Sequence, residues 1–199
     1  LAMKVADQLV QFLNPVRTIS KYHSGTSDDP FVNEIYARGL NQELTGNLVE
    51  ARNLFEVAVS QDPEFFLARY EYAITTRFLG YFDEAEPILK QLYVEAQQLE
   101  NPERLVMLSN AIGILHDLKG DMDKAESIYK TGIELAEEND IYDGGANLLV
   151  NLAIVEKNRG DLIEARGLLG RAIAFYHKSN TPVSGSLYIT LGNVAVSEG

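Results

Sequence analysis

Four short segments of the sequence repeat one pattern: GNLVEA (residues 46–51), GYFDEA (80–85), GDMDKA (120–125) and GDLIEA (160–165). Each segment begins with glycine, carries an apolar or aromatic residue at its third place and ends with alanine. Successive alanines lie 34, then 40 and again 40 residues apart. Self-similarity at such a period is typical of proteins built from stacked structural repeats.

The pattern has a direct physical interpretation as a helical hairpin. Glycine tolerates the positive φ that ends a first helix, and alanine leaves room where a second helix crosses the first closely. A second small residue lies seven positions before each glycine and is expected at the other side of the same crossing. These four residues are Gly39, Ala73, Gly113 and Ala153.

The spacing therefore predicts an all-α chain of paired helices, with a ninth helix that is the first helix of a fifth unit. An amphipathic helix over residues 2–13 and a polar stretch at 23–30 precede them. We expect two regions, 1–30 with the N-terminal helix and linker, and 31–199 with the repeat array. The predicted helices of the array cover 31–45, 48–60, 64–79, 83–99, 103–119, 122–138, 142–159, 162–178 and 183–198.

The order of small and aromatic residues in these units resembles the tetratricopeptide-repeat (TPR) family, and Pro63 stands where that family has its terminal proline. The resemblance covers residues 32–199. It implies a right-handed superhelix, or solenoid, of about four complete repeats plus one extra helix at each end. It also implies a protein- or peptide-binding module and not an enzyme. The family's first-helix aromatic is replaced here by Ile35, Arg69, Ser109 and Leu149.

The N-terminal region carries a second resemblance. Its words LA, ADQLVQFL and IYARG, with a first repeat ending in DP, are similar to the TPR effector region of bacterial winged-helix transcriptional regulators of the cadaverine-regulator type. This implies the effector or sensory domain of a bacterial transcription regulator. A stand-alone scaffold for envelope or secretion complexes is the alternative. A winged helix encoded upstream would favour the first, and a signal peptide or lipoprotein cysteine the second.

In the TPR family, fixed positions of each first helix line a concave groove. The resemblance therefore implies a groove of mixed apolar and polar character, suited to an amphipathic helix or an extended peptide. As alternatives, the N-terminal helix or a neighbouring subunit fills it. The family's carboxylate clamp for chaperones is missing, so we reject that role. The predicted peptide-binding residues are Tyr36, Leu40, Glu43, Tyr70, Ile74, Arg77, Asn110, Ile114, Asn147, Val150 and Lys157, with Asn33, Leu67, Met107, Asp117 and Ile154 at the remaining positions.

Charge and composition limit the classes of partner and the compartments that we expect for this chain. A net charge of -12 without a segregated basic patch argues against binding of nucleic acid by this chain. No stretch is long and apolar enough to predict a membrane span. The absence of cysteine fits either a reducing or an oxidising compartment, and we favour the cytoplasm over the periplasm.

Signals for catalysis or cofactors are weak. The three histidines show no metal-ligand spacing, and His116 beside Asp117 cannot form an orienting pair because adjacent helix residues point about 100° apart. We expect no catalytic residues, metal or cofactor. The apolar ninth helix, with Leu187, Ile189 and Leu191, predicts an unfinished edge for which a homodimer is the simplest closed solution. A continuation of the chain beyond Gly199 that covers the helix is the alternative.

Overall fold

The chain is described from a computed structural model that covers residues 26–198, and within them every regular element is a helix. This confirms the all-α class. The helices are α1 (Pro30–Leu44), α2 (Leu48–Gln61), α3 (Phe66–Phe78), α4 (Phe82–Gln98), α5 (Pro102–Leu118), α6 (Met122–Glu138), α7 (Tyr142–Arg159), α8 (Leu162–Ser179) and α9 (Gly185–Glu198).

The predicted helix boundaries agree with the observed ones within two residues at both ends. The predicted helix over 2–13 lies outside the described residues. Prolines begin two of the helices: Pro30 opens α1 and Pro102 opens α5, where the missing N–H needs no partner. Asp29 caps α1 by accepting a hydrogen bond from the Phe31 amide at 2.8 Å.

The glycine of each repeat forms the turn inside its hairpin. Gly46, Gly80, Gly120 and Gly160 have φ values of 80°, 88°, 83° and 93°, in the left-handed region. The turn closes with the hydrogen bonds of a helix C-cap, as when the Asn47 amide donates to the Gln42 carbonyl at 2.9 Å. The prediction that these glycines end the first helices is confirmed.

The small residues lie at the predicted crossings. Ala51, Ala85, Ala125 and Ala165 are each 0% exposed. At Gly39, an added Cβ would lie 2.5 Å from Cε1 of Phe55, and at Gly113 it would lie 2.2 Å from Cε1 of Tyr129. The partner of the upstream small residue is thus the large side chain four positions after the alanine.

The described residues form two compact units. In the unit of residues 26–94, α1 packs on α2 and α2 packs on α3. Phe55, at 0% exposure, lies at its centre, with the ring of Tyr36 5.8 Å away. Ala73 and Leu89 are also fully buried.

In the unit of residues 95–198, consecutive helices α5 to α9 pack in order, and α5 also contacts α7 directly. Its core includes Tyr129, Leu148, Leu169 and Phe175. Because α5 and α7 are the first helices of two successive hairpins, their contact brings their side chains onto one shared surface.

Candidate functional site

One face of α5 in the unit of residues 95–198 combines polar and apolar side chains that are neither buried nor fully exposed. Asn110, Ile114 and Asp117 are all half-buried. They follow one another at intervals of four and three residues, so they project from the same side of the helix. The neighbouring helix α7 presents a matching row.

The α7 row consists of Asn147, Asn151 and Ile154, which are likewise half-buried. The Asn151 carboxamide donates from Nδ2 to Oδ1 of Asn110 at 2.7 Å, which joins the two helices. The hydroxyl of Tyr176 in α8 donates to Oδ1 of Asn147 at 2.8 Å. We call Asn110, Asn147 and Asn151 the asparagine face.

These hydrogen bonds use only part of what the asparagine face can offer. Among residues 26–198, the Nδ2 groups of Asn110 and Asn147 and the Oδ1 atom of Asn151 have no hydrogen-bond partner. A carboxamide has two donors and an accepting oxygen, so both kinds of hydrogen bond remain available. Tyr176 is 4% exposed, and its fixed ring orients the Asn147 carboxamide.

A charged pair lies at the far end of the same two helices. Burial raises the pKa of the Asp117 carboxyl above its ordinary value, and the positive charge of Lys157 acts in the opposite direction. The burial effect is the larger one, so Asp117 carries a carboxylate whose solvation is incomplete. Such a group gains from a cationic or hydrogen-bond-donating ligand.

The structure brings four of the sequence-predicted residues together on this surface: Asn110, Ile114, Asn147 and Lys157 are half-buried on α5 and α7. Val150 does not join them. It is 1% exposed and belongs to the hydrophobic core, because it lies on the side of α7 that packs inward. Asn151, one residue later, takes the accessible direction.

In the unit of residues 26–94, the predicted residues divide in the same manner. Tyr36, Leu40 and Tyr70 are half-buried, and the two tyrosine rings pack against other aromatic rings: Tyr36 lies 5.0 Å from Phe65, and Tyr70 stacks at 6.3 Å on Phe66. Glu43, Ile74 and Arg77 are 2%, 7% and 4% exposed. These three side chains offer little surface to a ligand in this conformation.

Asn151 is a candidate residue that the sequence register did not identify. Its signal was its place four residues after Asn147, which puts two carboxamides on one helix face. The family register alone selects Val150 at this point. The helical phase of α7 therefore decides which of two adjacent residues faces outward.

Two ionic clusters between hairpins were also not predicted. Arg52 pairs with Glu84 and lies 5.0 Å from the ring centre of Tyr72, which links α2, α3 and α4. Arg159 pairs with Glu126 and lies 2.6 Å from Asp123, which links α7 to α6.

Both clusters join successive hairpins and have an evident structural role. In the sequence, such a cluster can be recognised as two oppositely charged residues that lie about one repeat apart: Arg159 follows Glu126 by 33 residues.

Metal and membrane features are absent from the part of the chain that the structure describes. Residues 26–198 contain no group of three or more histidine, aspartate or glutamate side chains placed to hold a metal ion. The same range contains no helix with the length and apolar character needed to cross a bilayer.

No protein-family model matches the sequence, and no curated protein matches it. Solved structures do. TTC0263, a thermophilic TPR protein of Thermus thermophilus, superposes with a TM-score of 0.65 at 23% identity, over 84% of this chain and 83% of that one. MamA (41-end) of Desulfovibrio magneticus RS-1 gives a TM-score of 0.59 at 14% identity, over 75% and 78%.

A third similar structure is BtubC (BKLC) of P. vanneervenii, with a TM-score of 0.58 at 22% identity over 85% of this chain. The chain spans 66% of the length of BtubC. Sequence identities this low indicate a shared fold and do not indicate shared binding partners. Together with the glycine turns and the alanine crossings, the structural likeness establishes that this chain has the TPR-type helical hairpin fold.

Proposed function

We propose that this chain is a protein-binding TPR module that captures an extended peptide segment on the α5–α7 surface. The observation that carries the proposal is the asparagine face, whose free donors and acceptor line a half-buried surface. The proposal keeps Asn110, Ile114, Asn147 and Lys157 as binding residues and adds Asn151. It has no catalytic residue, metal or cofactor.

A peptide backbone presents one N–H donor and one C=O acceptor per residue, and a carboxamide can pair with either. Asn110 and Asn147 offer N–H donors, and Asn151 offers an accepting oxygen, so the asparagine face recognises backbone independently of side chains. Ile114 and Ile154 lie beside it and favour an apolar side chain. Asp117, with its incompletely solvated carboxylate, favours a basic one.

The experiment is a selection from a random peptide library displayed on phage, with the full chain as bait. Peptides enriched on the wild type would then be titrated by calorimetry against wild type, Asn110→Ala and Asn151→Ala. Each lost carboxamide should weaken binding by roughly fivefold, since a hydrogen bond contributes about 1 kcal/mol and about 1.4 kcal/mol is tenfold in affinity. Enriched sequences should carry an apolar residue and a lysine or arginine.

The matched control is Asn158→Ala, which removes an exposed asparagine near the end of the same helix. It should bind the selected peptides like the wild type. Peptides that bind Asn110→Ala and Asn151→Ala with unchanged affinity would refute the assignment of this surface. So would a library that yields no enriched sequence.

We further propose that the module is the effector domain of a bacterial winged-helix transcriptional regulator, with region 1–30 as the lead-in and 31–199 as the array. The N-terminal similarity described above supports this assignment. Sequencing the gene upstream of Leu1 tests it. A winged-helix domain there agrees with the proposal, whereas a signal peptide or a lipoprotein cysteine would assign the chain to an envelope or secretion scaffold.

A further inference from the structure

Asp117 and Lys157 form the charged end of the α5–α7 surface, and neither group has a close partner. Their charges act on each other, but within residues 26–198 neither side chain forms a hydrogen bond or a salt bridge. The ionic cluster of Arg159 differs, because that side chain pairs directly with Glu126. Both groups of the charged end are half-buried, so water solvates each of them only in part. Each one can therefore still gain from an opposite charge on a ligand.

An apolar part of the surface separates the charged end from the asparagine face. Ile114 on α5 and Ile154 on α7 are half-buried and pack against the hydrophobic core of the unit. On each helix the isoleucine precedes the charged residue by three positions, which is about 4.5 Å along the helix axis. The hydrogen bond between Asn110 and Asn151 joins the two helices on the other side of the isoleucines. Along both helices the order is thus carboxamide, isoleucine, charge.

An extended peptide that lies between α5 and α7 presents its side chains to the two helices in turn, because successive side chains point to opposite sides of an extended chain. Two adjacent residues beside the isoleucines therefore meet Ile114 and Ile154, and the next two meet Asp117 and Lys157. Side chains on one side of the peptide repeat every ~6.6 Å, about 2 Å more than the spacing on each helix. The long side chains of lysine, arginine and glutamate can cover a difference of this size.

We infer that the α5–α7 surface selects a four-residue core in which two adjacent apolar residues lie next to one basic and one acidic residue. The basic residue pairs with Asp117 and the acidic residue pairs with Lys157, while the asparagine face holds the backbone beside the apolar pair. A core with two bases or two acids would place a like charge beside one of the two groups, which is unfavourable. The inference rests on the proposed peptide-binding function and narrows its ligand to a segment whose charged residues cancel.

Selection from the random phage library with three baits tests the inference. The wild type should enrich apolar pairs next to one acid and one base. Asp117→Lys should instead enrich acids at both charged places, and Lys157→Glu should enrich bases at both, because each bait carries two like charges. The matched controls are Glu134→Lys and Lys130→Glu on α6, which change the net charge equally at exposed positions. They should select the same sequences as the wild type.

Calorimetry with one enriched synthetic peptide measures the two pairings separately. Replacing the basic residue of the peptide with glutamine should weaken binding to the wild type at least ~tenfold, the effect of one lost hydrogen bond between charged groups. The same replacement should have little effect on binding to Asp117→Asn, which has already lost this pairing. The acidic residue of the peptide and Lys157→Gln form the second cycle. Circular dichroism verifies that each variant is folded.

The outcomes separate this inference from the proposed function. Wild-type sequences that carry a base without an acid, or three baits that enrich the same sequences, would overturn the inference. The loss of affinity in Asn110→Ala and Asn151→Ala still decides the proposed function in that case. A wild type that enriches no peptide overturns both.

Discussion

The contact between Gly39 and Phe55 allows a stability test of how the hairpins pack. In hairpins 1 and 3 the small residue is glycine and its partner is aromatic: Gly39 meets Phe55, and Gly113 meets Tyr129. In hairpins 2 and 4 the same two positions hold an alanine and a leucine, all fully buried. The pairs therefore suggest a size rule: where the small residue is alanine instead of glycine, the side chain packed against it is leucine instead of an aromatic residue. The alanine–leucine pairs are Ala73 with Leu89 and Ala153 with Leu169.

Replacing Gly39 with alanine would place a Cβ 2.5 Å from Cε1 and 2.8 Å from Cδ1 of Phe55. The ring is 0% exposed and cannot swing away, so overpacking should cost about 1 to 3 kcal/mol, offset by roughly 1 kcal/mol of improved helix propensity. Phe55→Leu alone should cost about 1 to 2 kcal/mol through the space it leaves. The double variant should restore the packing found in hairpins 2 and 4.

Urea unfolding of the four proteins, followed by circular dichroism, measures the coupling. The double variant should be more stable than the sum of the single effects predicts by about 1 to 2 kcal/mol, which exceeds the additivity error of about 0.5 kcal/mol. Additive effects would mean that the two positions relax independently. The proposed size rule would then be wrong, even though the residues are in contact.

Three further predictions concern backbone strain, titration and nucleic acid. Glu100 has a φ of 48°, so Glu100→Gly should stabilise the fold by roughly 0.5 to 1 kcal/mol in urea unfolding. Two controls accompany it: Gln97→Gly inside helix α4 should destabilise the fold by about as much, and Glu100→Gln should leave its stability unchanged. Burial raises the pKa of Asp117, so its charged form destabilises the fold at neutral pH, and this penalty disappears as the pH falls below the unfolded-state pKa of the carboxyl. Asp117→Asn should therefore raise the urea midpoint at pH about 7 and not at pH about 3. Finally, the chain alone should show no retention of random-sequence duplex DNA in a mobility-shift assay at moderate salt, given its net charge of -12.

The hairpins could be predicted because their determinants are local. A glycine at a fixed position of each repeat determines the turn, and a small residue on each helix determines the crossing. Gly160 and Ala165 were therefore enough to place α7 and α8. The non-glycine residues with positive φ show the limit of this reasoning. Glu100, Asp140 and Asn180 follow the ends of second helices at intervals of 40 residues. Asparagine and aspartate are enriched at positive φ, but glutamate is not. Their regularity became evident only from the backbone.

The candidate site could be predicted only in part, because exposure depends on helix phase and on which neighbour packs beside it. The family register selects Val150, yet the core takes Val150 and leaves Asn151 at the surface. It also selects Glu43 and Arg77, which are buried, although their counterparts Asp117 and Lys157 are half-buried. The family register predicts which residue faces outward only to within one position. A shift of one position along the helix can exchange a surface residue for a core residue.

The last position of that register also bears on the class of ligand. In the unit of residues 26–94 it holds Glu43 and Arg77, and in the unit of residues 95–198 it holds Asp117 and Lys157, so each unit carries one acid and one base. The positive charge of Lys157 opposes the rise that burial causes in the pKa of Asp117, so the two charges of the second unit act on each other. A ligand of uniform charge, such as a phosphate backbone, gains from one group what it loses at the other. A peptide with mixed side chains can satisfy both, and this favours a protein partner for the α5–α7 surface.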